Sequence, residues 1–399
     1  MKTIEREVII VGAGPGGSMC AGYLAREGVD VLLLEKETFP REKPCGEGLG
    51  GDAMIHIKEL GAYDELMKYA EMCKGFQFYA PDHSVCYVPT VPDTEYHCPR
   101  RIGDNIYRQN AERLGAEVWE DCWVYDVIME DGQVKGVKAK YQGEYIELRS
   151  KIVIGADGAH SKIAKAAGLF FDDDEDAIAV VARGYMRNVK GLDGWNEFFF
   201  DEAVTPGYVW LMPYEKYEKG FVNFGIGYMR KAYEGRKLMD VANEWLKLPQ
   251  YKDRFVDMEW AAPMKGWRIP QNHLQGKNVA NGLMLIGDAA AMNVPVSGEG
   301  VGPAMCAGAW ASLTAMDALK RNDFTVEGGL ASYPEYVNKY MVPEFKEMRK
   351  LLDNIYDPAK CNAYIKTLRD DPVANAKANE GFQGKLMFAE FPFKNVKVE

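Results

Sequence analysis

The chain of 399 residues is poor in the features that mark metal or disulfide scaffolds. Its eight cysteines are scattered, no C-x-x-C pair occurs, and the five histidines do not gather around them. Zinc and iron–sulfur sites are therefore not expected, and free thiols in a reducing cytoplasm are the simpler expectation. Positive charge is short too: 48 Lys and Arg face 59 Asp and Glu, for a net charge of -11. A chain of that sign is not expected to hold nucleic acid through phosphates or to adhere broadly to anionic lipid. It has no uncharged apolar run of roughly 18 residues or more, the length a membrane-spanning helix needs. The opening "MKTIEREVIIVGAG" passes from a short apolar run straight into a glycine turn, unlike a secretory signal.

Hydrophobic residues make up 47% of the chain, enough for two compact units or one large α/β unit with insertions. "REVIIVGAGPGGSMCAGYLAREGVDVLLLEKE" reads as strand, glycine turn, helix and strand. Val8–Val11 feed the turn, Met19, Cys20, Tyr23 and Leu24 recur at helical spacing, and Val31–Leu34 form a second buried strand. In this dinucleotide fingerprint Gly12 permits the tight turn, and Gly14 lets backbone approach a pyrophosphate at the helix N-terminus. Gly17 permits close helix–strand packing. Gly16 sits within the same turn, and Glu35, at the end of the second strand, is placed to accept from a ribose hydroxyl.

Further on, residues 104–115 carry an amphipathic helical pattern. A three-stranded meander is expected next, turning at Asp131-Gly132 and Gln142-Gly143 and followed by a buried strand. Residues 178–229, with "WNEFFF", "GYVWLMP" and "GFVNFGIGY", predict strands of a second, antiparallel sheet. "NGLMLIGDAA" returns to the buried-strand type, a long helix is expected from about Gly300 to Arg321, and polar helices from about Tyr333. "DDDED" (172–176) reads as a solvated acidic loop, and "LMFAEFPF" (386–393) as a loose tail facing either lipid or the protein's own core.

With the fingerprint at Gly12–Gly17 and Glu35, "IGADGAHSKIAKAAGL" (154–169) and "GDAAAMNVPVSGEGV" (287–301), the chain resembles the flavoprotein hydroxylase superfamily of FAD enzymes. Finer features resemble its geranylgeranyl reductase branch: "PREKPCGEGL" (Pro40–Leu49) is similar to a Pro-x-x-x-x-Cys-Gly signature. "GYVWLMP" (Gly207–Pro213) is similar to a Tyr-x-Trp-x-Phe-Pro substrate motif, with Met212 in place of Phe. The resemblance implies an α/β fold: a Rossmann-type FAD-binding domain, glutathione-reductase-like, with an inserted antiparallel-sheet substrate domain and a helical C-terminal region. The expected boundaries are 1–75, 98–175 and 270–330 for FAD, 76–97 and 176–269 for substrate, and 331–399 for the C-terminal helices.

It also implies roles. Asp157 and Gly158 lie near the pyrophosphate, Gly287 and Asp288 near the ribityl chain, and Gly300 and Val301 at the flavin pyrimidine edge. Val124 sits in the strand that offers backbone to adenine, and Arg101 is the arginine contacting the cofactor, with Arg100 as its competitor. Cys45, flanked by Gly46 and Gly48, is expected at the face of the flavin ring as the catalytic residue, while packing as a small hydrophobe is its alternative. Tyr208, Trp210 and Pro213 would bind substrate. Glu47 is either a proton source or, as the better expectation, a solvent-facing acid.

The implied activity is reduction of carbon–carbon double bonds in geranylgeranyl chains of lipids or prenyl diphosphate precursors, with hydride from reduced flavin N5. An external donor (NAD(P)H, ferredoxin or another carrier) supplies electrons, since the chain has one dinucleotide fingerprint. Peripheral membrane contact is expected, and no metal. The alternatives are flavin monooxygenation or halogenation, an electron-transfer flavoprotein–quinone type of oxidoreductase, and a non-enzymatic flavin-binding redox carrier.

Overall fold

In the computed structural model, residues 3–90, 94–170, 177–205, 207–230, 235–271, 277–355 and 357–382 are described. The acidic stretch 172–176 and the tail segment 386–393 lie outside these residues.

Strands Leu283–Leu285, Glu144–Gly155, Thr3–Val11, Val31–Leu34 and Glu117–Trp119 lie side by side in that order, every pair parallel. Their apolar runs are buried on both faces: Ile9, Ile10, Leu32, Leu33, Val153 and Ile154 have no exposed surface. Continuous Val, Ile and Leu suit a parallel sheet covered by helices on either side. Helix Pro15–Arg26 packs against helices Val301–Arg321 and Arg100–Arg113. The contact between the first two depends on glycine, because a methyl on Gly16 would lie 2.6 Å from the Ala304 carbonyl oxygen.

A second sheet runs in the order Glu259–Pro270, Ile178–Arg187, Val222–Met229, Gly207–Pro213, Asn196–Phe199, Gly75–Tyr79, Val85–Pro89. It departs from the expected all-antiparallel pattern at one seam, where Asn196–Phe199 pairs in parallel with Gly75–Tyr79. The reason is topological: the latter strand arrives from within the cofactor-binding segment, not from a hairpin. The meander also differs from expectation. Its third strand does not stop before the buried one; Glu144–Gly155 pairs antiparallel with Gln133–Tyr141 and runs on into the parallel sheet. Along Gly207–Pro213, Val209 and Leu211 have no exposed surface and pack with helix Leu238–Trp245, leaving Tyr208, Trp210 and Met212 for the other face.

The helices after Arg321 include Val342–Ile355, Pro358–Asp370 and Pro372–Phe382, and the first two lie over the face of the second sheet that carries Phe76 and Phe78. Among the described residues, no helix is long and apolar enough to cross a membrane.

Candidate active site

Because the parallel strands point the same way, three separated motifs meet at one edge. Val11 leads into Gly12, Gly155 into Ala156 and Asp157, and Leu285 into Gly287 and Asp288. Their backbones interlock: Gly12 donates to the Leu34 carbonyl at 2.7 Å, Ala156 to Val11 at 2.8 Å, and Ile286 to Gly155 at 2.9 Å. Ligands of open α/β sheets collect at this carboxyl edge.

The glycines divide by function. A Cβ on Gly12 would come within 2.3 Å of the Ala156 oxygen, and one on Gly17 within 2.0 Å of the Gly12 oxygen, so both serve chain packing. Gly14 and Gly158 face space: the nearest atom to a Gly14 methyl is an Arg41 nitrogen at 4.0 Å, and Gly158 has nothing within 4 Å. Gly14 caps helix Pro15–Arg26 and Gly300 caps Val301–Arg321, neither end has a side-chain cap, and neither first turn holds an acid. Of these two N-termini, the one at Gly14 opens on a cradle that fits a pyrophosphate, while the Asp52 carboxyl packs against Gly302 in the first turn of the other.

Glu35 is buried and accepts from the Ala13 amide at 3.1 Å. Val124 is buried in strand Cys122–Glu130, which begins at a bond from Cys122 to the Glu35 carbonyl. Asp157 accepts from the Lys162 and Ile163 amides at 2.6 and 3.2 Å, capping the next helix, while its Cα lies 3.1 Å from the Gly12 methyl position. Asp288 accepts from Asn293 at 3.2 Å and pairs with Lys43 at 3.4 Å. Lys43 also sits 4.0 Å over the Trp267 ring, and burial lowers its pKa against the pull of Asp288.

Arg101 is exposed at the start of its helix and is not among these contacts. Arg100 is the buried one. It holds Asp104 in a two-bond fork at 2.6 and 2.9 Å and reaches the Cys45 thiol. Arg41 bridges Asp104 at 2.9 Å to Glu35 at 3.4 Å, so a charged string runs from Glu35 to the thiol. Burial alone would raise the Asp104 pKa, but Arg100 and Arg41 hold it below the ordinary carboxylate range.

Cys45 is half-buried, and its sulfur accepts from the Glu47 amide at 3.2 Å. The expected solvent-facing Glu47 is instead 1% exposed. Its carboxylate accepts from Tyr185 at 2.5 Å, Tyr214 at 2.6 Å, Asn223 at 3.0 Å, the Arg100 amide at 3.1 Å and Arg183 at 3.4 Å. Arg183 also donates to the Lys43 carbonyl at 2.6 Å, and Asn223 to that of Cys45 at 2.9 Å. These donors come from strands of the second sheet, so that sheet fixes the cysteine loop against the first. Glu47 has φ of +72°, a conformation costly for a side-chain-bearing residue and retained by its bonding. None of Arg183, Tyr185, Tyr214 or Asn223 stood out in the sequence. The signal available was a polar residue inside an apolar strand, as Asn223 is in "VNFGIGYM".

From Cys45 an apolar cavity extends between Phe76, Phe78, Phe198, Tyr208 and Trp210 of the sheet and the C-terminal helices, which contribute Leu351, Ile355 and Ile365. Cys45, Gly46 and Gly48 line it on one side, and Gly300 and Val301 on another. Tyr208 donates to the Ser297 carbonyl and Trp210 to Asn223 at 3.0 Å, so both indole and phenol are oriented and present their rings to the cavity. Met212 fills the space beside Gly46, with its Cε 3.0 Å from where a Cβ would be. Pro213 is buried at the strand end and is not part of the cavity wall.

The FAD binding domain family matches residues 5–307. The digeranylgeranylglycerophospholipid reductase 2 of Methanococcoides burtonii is 31% identical over 328 residues, covering 80% of this chain and 77% of that one. The digeranylgeranylglycerophospholipid reductase of Methanothrix thermoacetophila is 31% identical, covering 82% and 81%. In fold, the chain is similar to a geranylgeranyl bacteriochlorophyll reductase-like protein from Thermoplasma acidophilum, with a TM-score of 0.82, 23% identity and coverage of 95% and 96%. A flavin-dependent brominase gives 0.81 at 19% identity, covering 96% and 94%, so the fold is shared across different chemistries. The chain belongs to the FAD binding domain family and, within it, to the geranylgeranyl reductases. It is an FAD-dependent oxidoreductase.

Proposed function

We propose that the protein saturates isolated carbon–carbon double bonds in the geranylgeranyl chains of a lipid or lipid precursor. The observation that carries this reading is the aromatic, apolar cavity reaching Cys45 beside the uncapped helix at Gly300. An isolated alkene has no carbonyl to polarise, so one carbon must receive a proton and the other a hydride. Reduced FAD supplies the hydride. The chain's residues align the alkene, exclude water and tolerate positive charge building at the more substituted carbon.

Tyr208 and Trp210 present π faces for that charge. Cys45 sets the position of the alkene. Arg100, in place of Arg101, orients the thiol and the cofactor-side carboxylates. Electrons come from an external donor such as NAD(P)H or a ferredoxin. The lipid is met at a bilayer surface without insertion of a helix.

The test is mass spectrometry of geranylgeranyl lipid after anaerobic incubation with the dithionite-reduced protein. Gains of two hydrogens per double bond are expected, and Cys45→Ala should lose at least tenfold in rate while keeping FAD. NAD(P)H-driven oxygen consumption with an aromatic substrate, and no lipid saturation, would instead favour the monooxygenase reading.

A further inference from the structure

The alkene needs a proton, and nothing described so far gives it up readily. Where the cysteine loop runs on through Gly48 and Gly50, four acids from distant parts of the chain gather: Asp52, Glu95, Glu299 and Glu344. A methyl placed on Gly50 would lie 3.0 Å from Asp52 Oδ1, 3.4 Å from Glu299 Oε1 and 3.6 Å from Glu95 Oε2, so three carboxyl groups crowd one point. Asp52 and Glu299 share a hydrogen bond, and Glu344 lies close enough to feel both charges. Asp52, Glu95 and Glu344 are 0%, 5% and 4% exposed, and each has one oxygen (Oδ2, Oε2 and Oε2) without any hydrogen-bond partner.

Four mutually close carboxylates cannot all remain charged in such a place, because burial and like charge both penalise ionisation. Among the described residues, no group of three acids, histidines or cysteines is arranged to hold a metal ion. Protons are the neutralising charge that remains. Burial, reinforced by neighbouring acids, pushes Glu95 and Glu299 well above the usual carboxylate range; Glu344 is raised to about 8 and Asp52 to about 7. Glu95 and Glu299 line the same cavity as Cys45, Tyr208 and Trp210.

Resting on the reductase reading above, we propose that Glu95 is the proton donor to the substrate alkene and that Glu299, Asp52 and Glu344 are its proton store. The π pair of the double bond takes the Glu95 proton, forming one C–H bond as the O–H bond breaks. The neighbouring carbon accepts the hydride that the reduced cofactor supplies, so the lipid gains two electrons and FAD returns to its oxidised state. Glu95 is left as a carboxylate and is reprotonated from Glu299 and its neighbours, and finally from water. A carboxyl group kept neutral carries its proton at the cavity itself, and its position in an apolar wall keeps that proton from being lost to solvent.

Glu95→Gln and Glu299→Gln test this in the FAD-loaded protein. Infrared spectra at pH 7 should show carbonyl stretches of protonated carboxyl groups that shift in heavy water, and the Glu95→Gln variant should lose one of them. In stopped flow, Glu95→Gln should slow reoxidation of the reduced protein by geranylgeranyl lipid about 100-fold or more, with FAD content unchanged, and Glu299→Gln should slow it less. A wild-type protein that saturates no isoprenoid overturns the reductase reading and this proposal with it. A wild type that works, beside a Glu95→Gln variant equally fast, overturns the proposal alone. If Glu95→Gln fails to hold FAD, the wild-type infrared spectrum decides: carboxyl groups fully ionised at pH 7 overturn the proposal.

Discussion

Two clusters at the cysteine loop treat carboxyl groups in opposite ways. In one, Glu47 is ringed by donors from Arg100, Arg183, Tyr185, Tyr214 and Asn223. In the other, Asp52, Glu95, Glu299 and Glu344 face mainly one another, with oxygens left unpartnered on three of them. Both sites are buried, so burial alone does not define what an acid does; the supply of donors does. The first arrangement locks a loop in place. The second stores protons at a cavity wall.

Breaking the donor-rich side should have the largest effect. Glu47→Ala leaves Arg183 and two tyrosines without their buried partner, and loss of about 3–5 kcal/mol in denaturant unfolding is expected, together with loss of activity as residues 43–47 come free. A variant within 0.5 kcal/mol of wild type would mean that the ring of donors does not hold the loop.

The donor-poor side should show itself in pH. An acid whose pKa is raised in the folded state binds its proton more tightly there, so stability is full below the unfolded pKa and is lost as pH rises toward the folded value. Two buried histidines act oppositely: desolvation lowers His56 to about 3 and His97 to about 4, so their contribution is complete only above the unfolded histidine range near 6.5. Between about pH 6.5 and 8 the histidine contribution no longer changes, while Asp52 at about 7 and Glu344 at about 8 still do. Stability should fall through that window by about 1.4 kcal/mol per pH unit for each acid titrating. Glu344→Gln should remove one acid's share, seen as a flatter dependence of the denaturant midpoint on pH. An unchanged slope would place the neutralisation elsewhere.

The smallest effect on stability should come from Gly14→Ala. Its methyl would meet open space where those on Gly12 and Gly17 would strike backbone. The unfolding midpoint should move by less than about 0.5 kcal/mol, while FAD content falls; Gly12→Ala should lose fold and FAD together. Equal FAD content in Gly14→Ala and wild type would remove the pyrophosphate from that cradle.

Much of the cofactor edge was legible beforehand because it is written locally. Strand Val8–Val11, its glycines and Glu35 lie within one βαβ unit, and periodicity alone orders them. Tyr208 and Trp210 were legible as a pair because alternate residues of a strand share a face. The choice between Arg100 and Arg101 was not legible, because a helix turns by 100° per residue and only its docking decides that Arg100 is buried and Arg101 exposed. Glu47 was misjudged because nothing near it in sequence donates to it: Arg183 and Asn223 are 136 and 176 residues away.

The amino-acid order by itself determined a dinucleotide-binding βαβ unit, the glycines at its turn, and the alternation that turns aromatic rings to one face of a strand. These follow from backbone sterics and from periods of 2.0 and 3.6 residues. Only the tertiary structure decided which acids would be paired and which abandoned. That choice depends on strands and helices far apart in the chain meeting at one loop, where distance and desolvation, not sequence neighbours, set the charge.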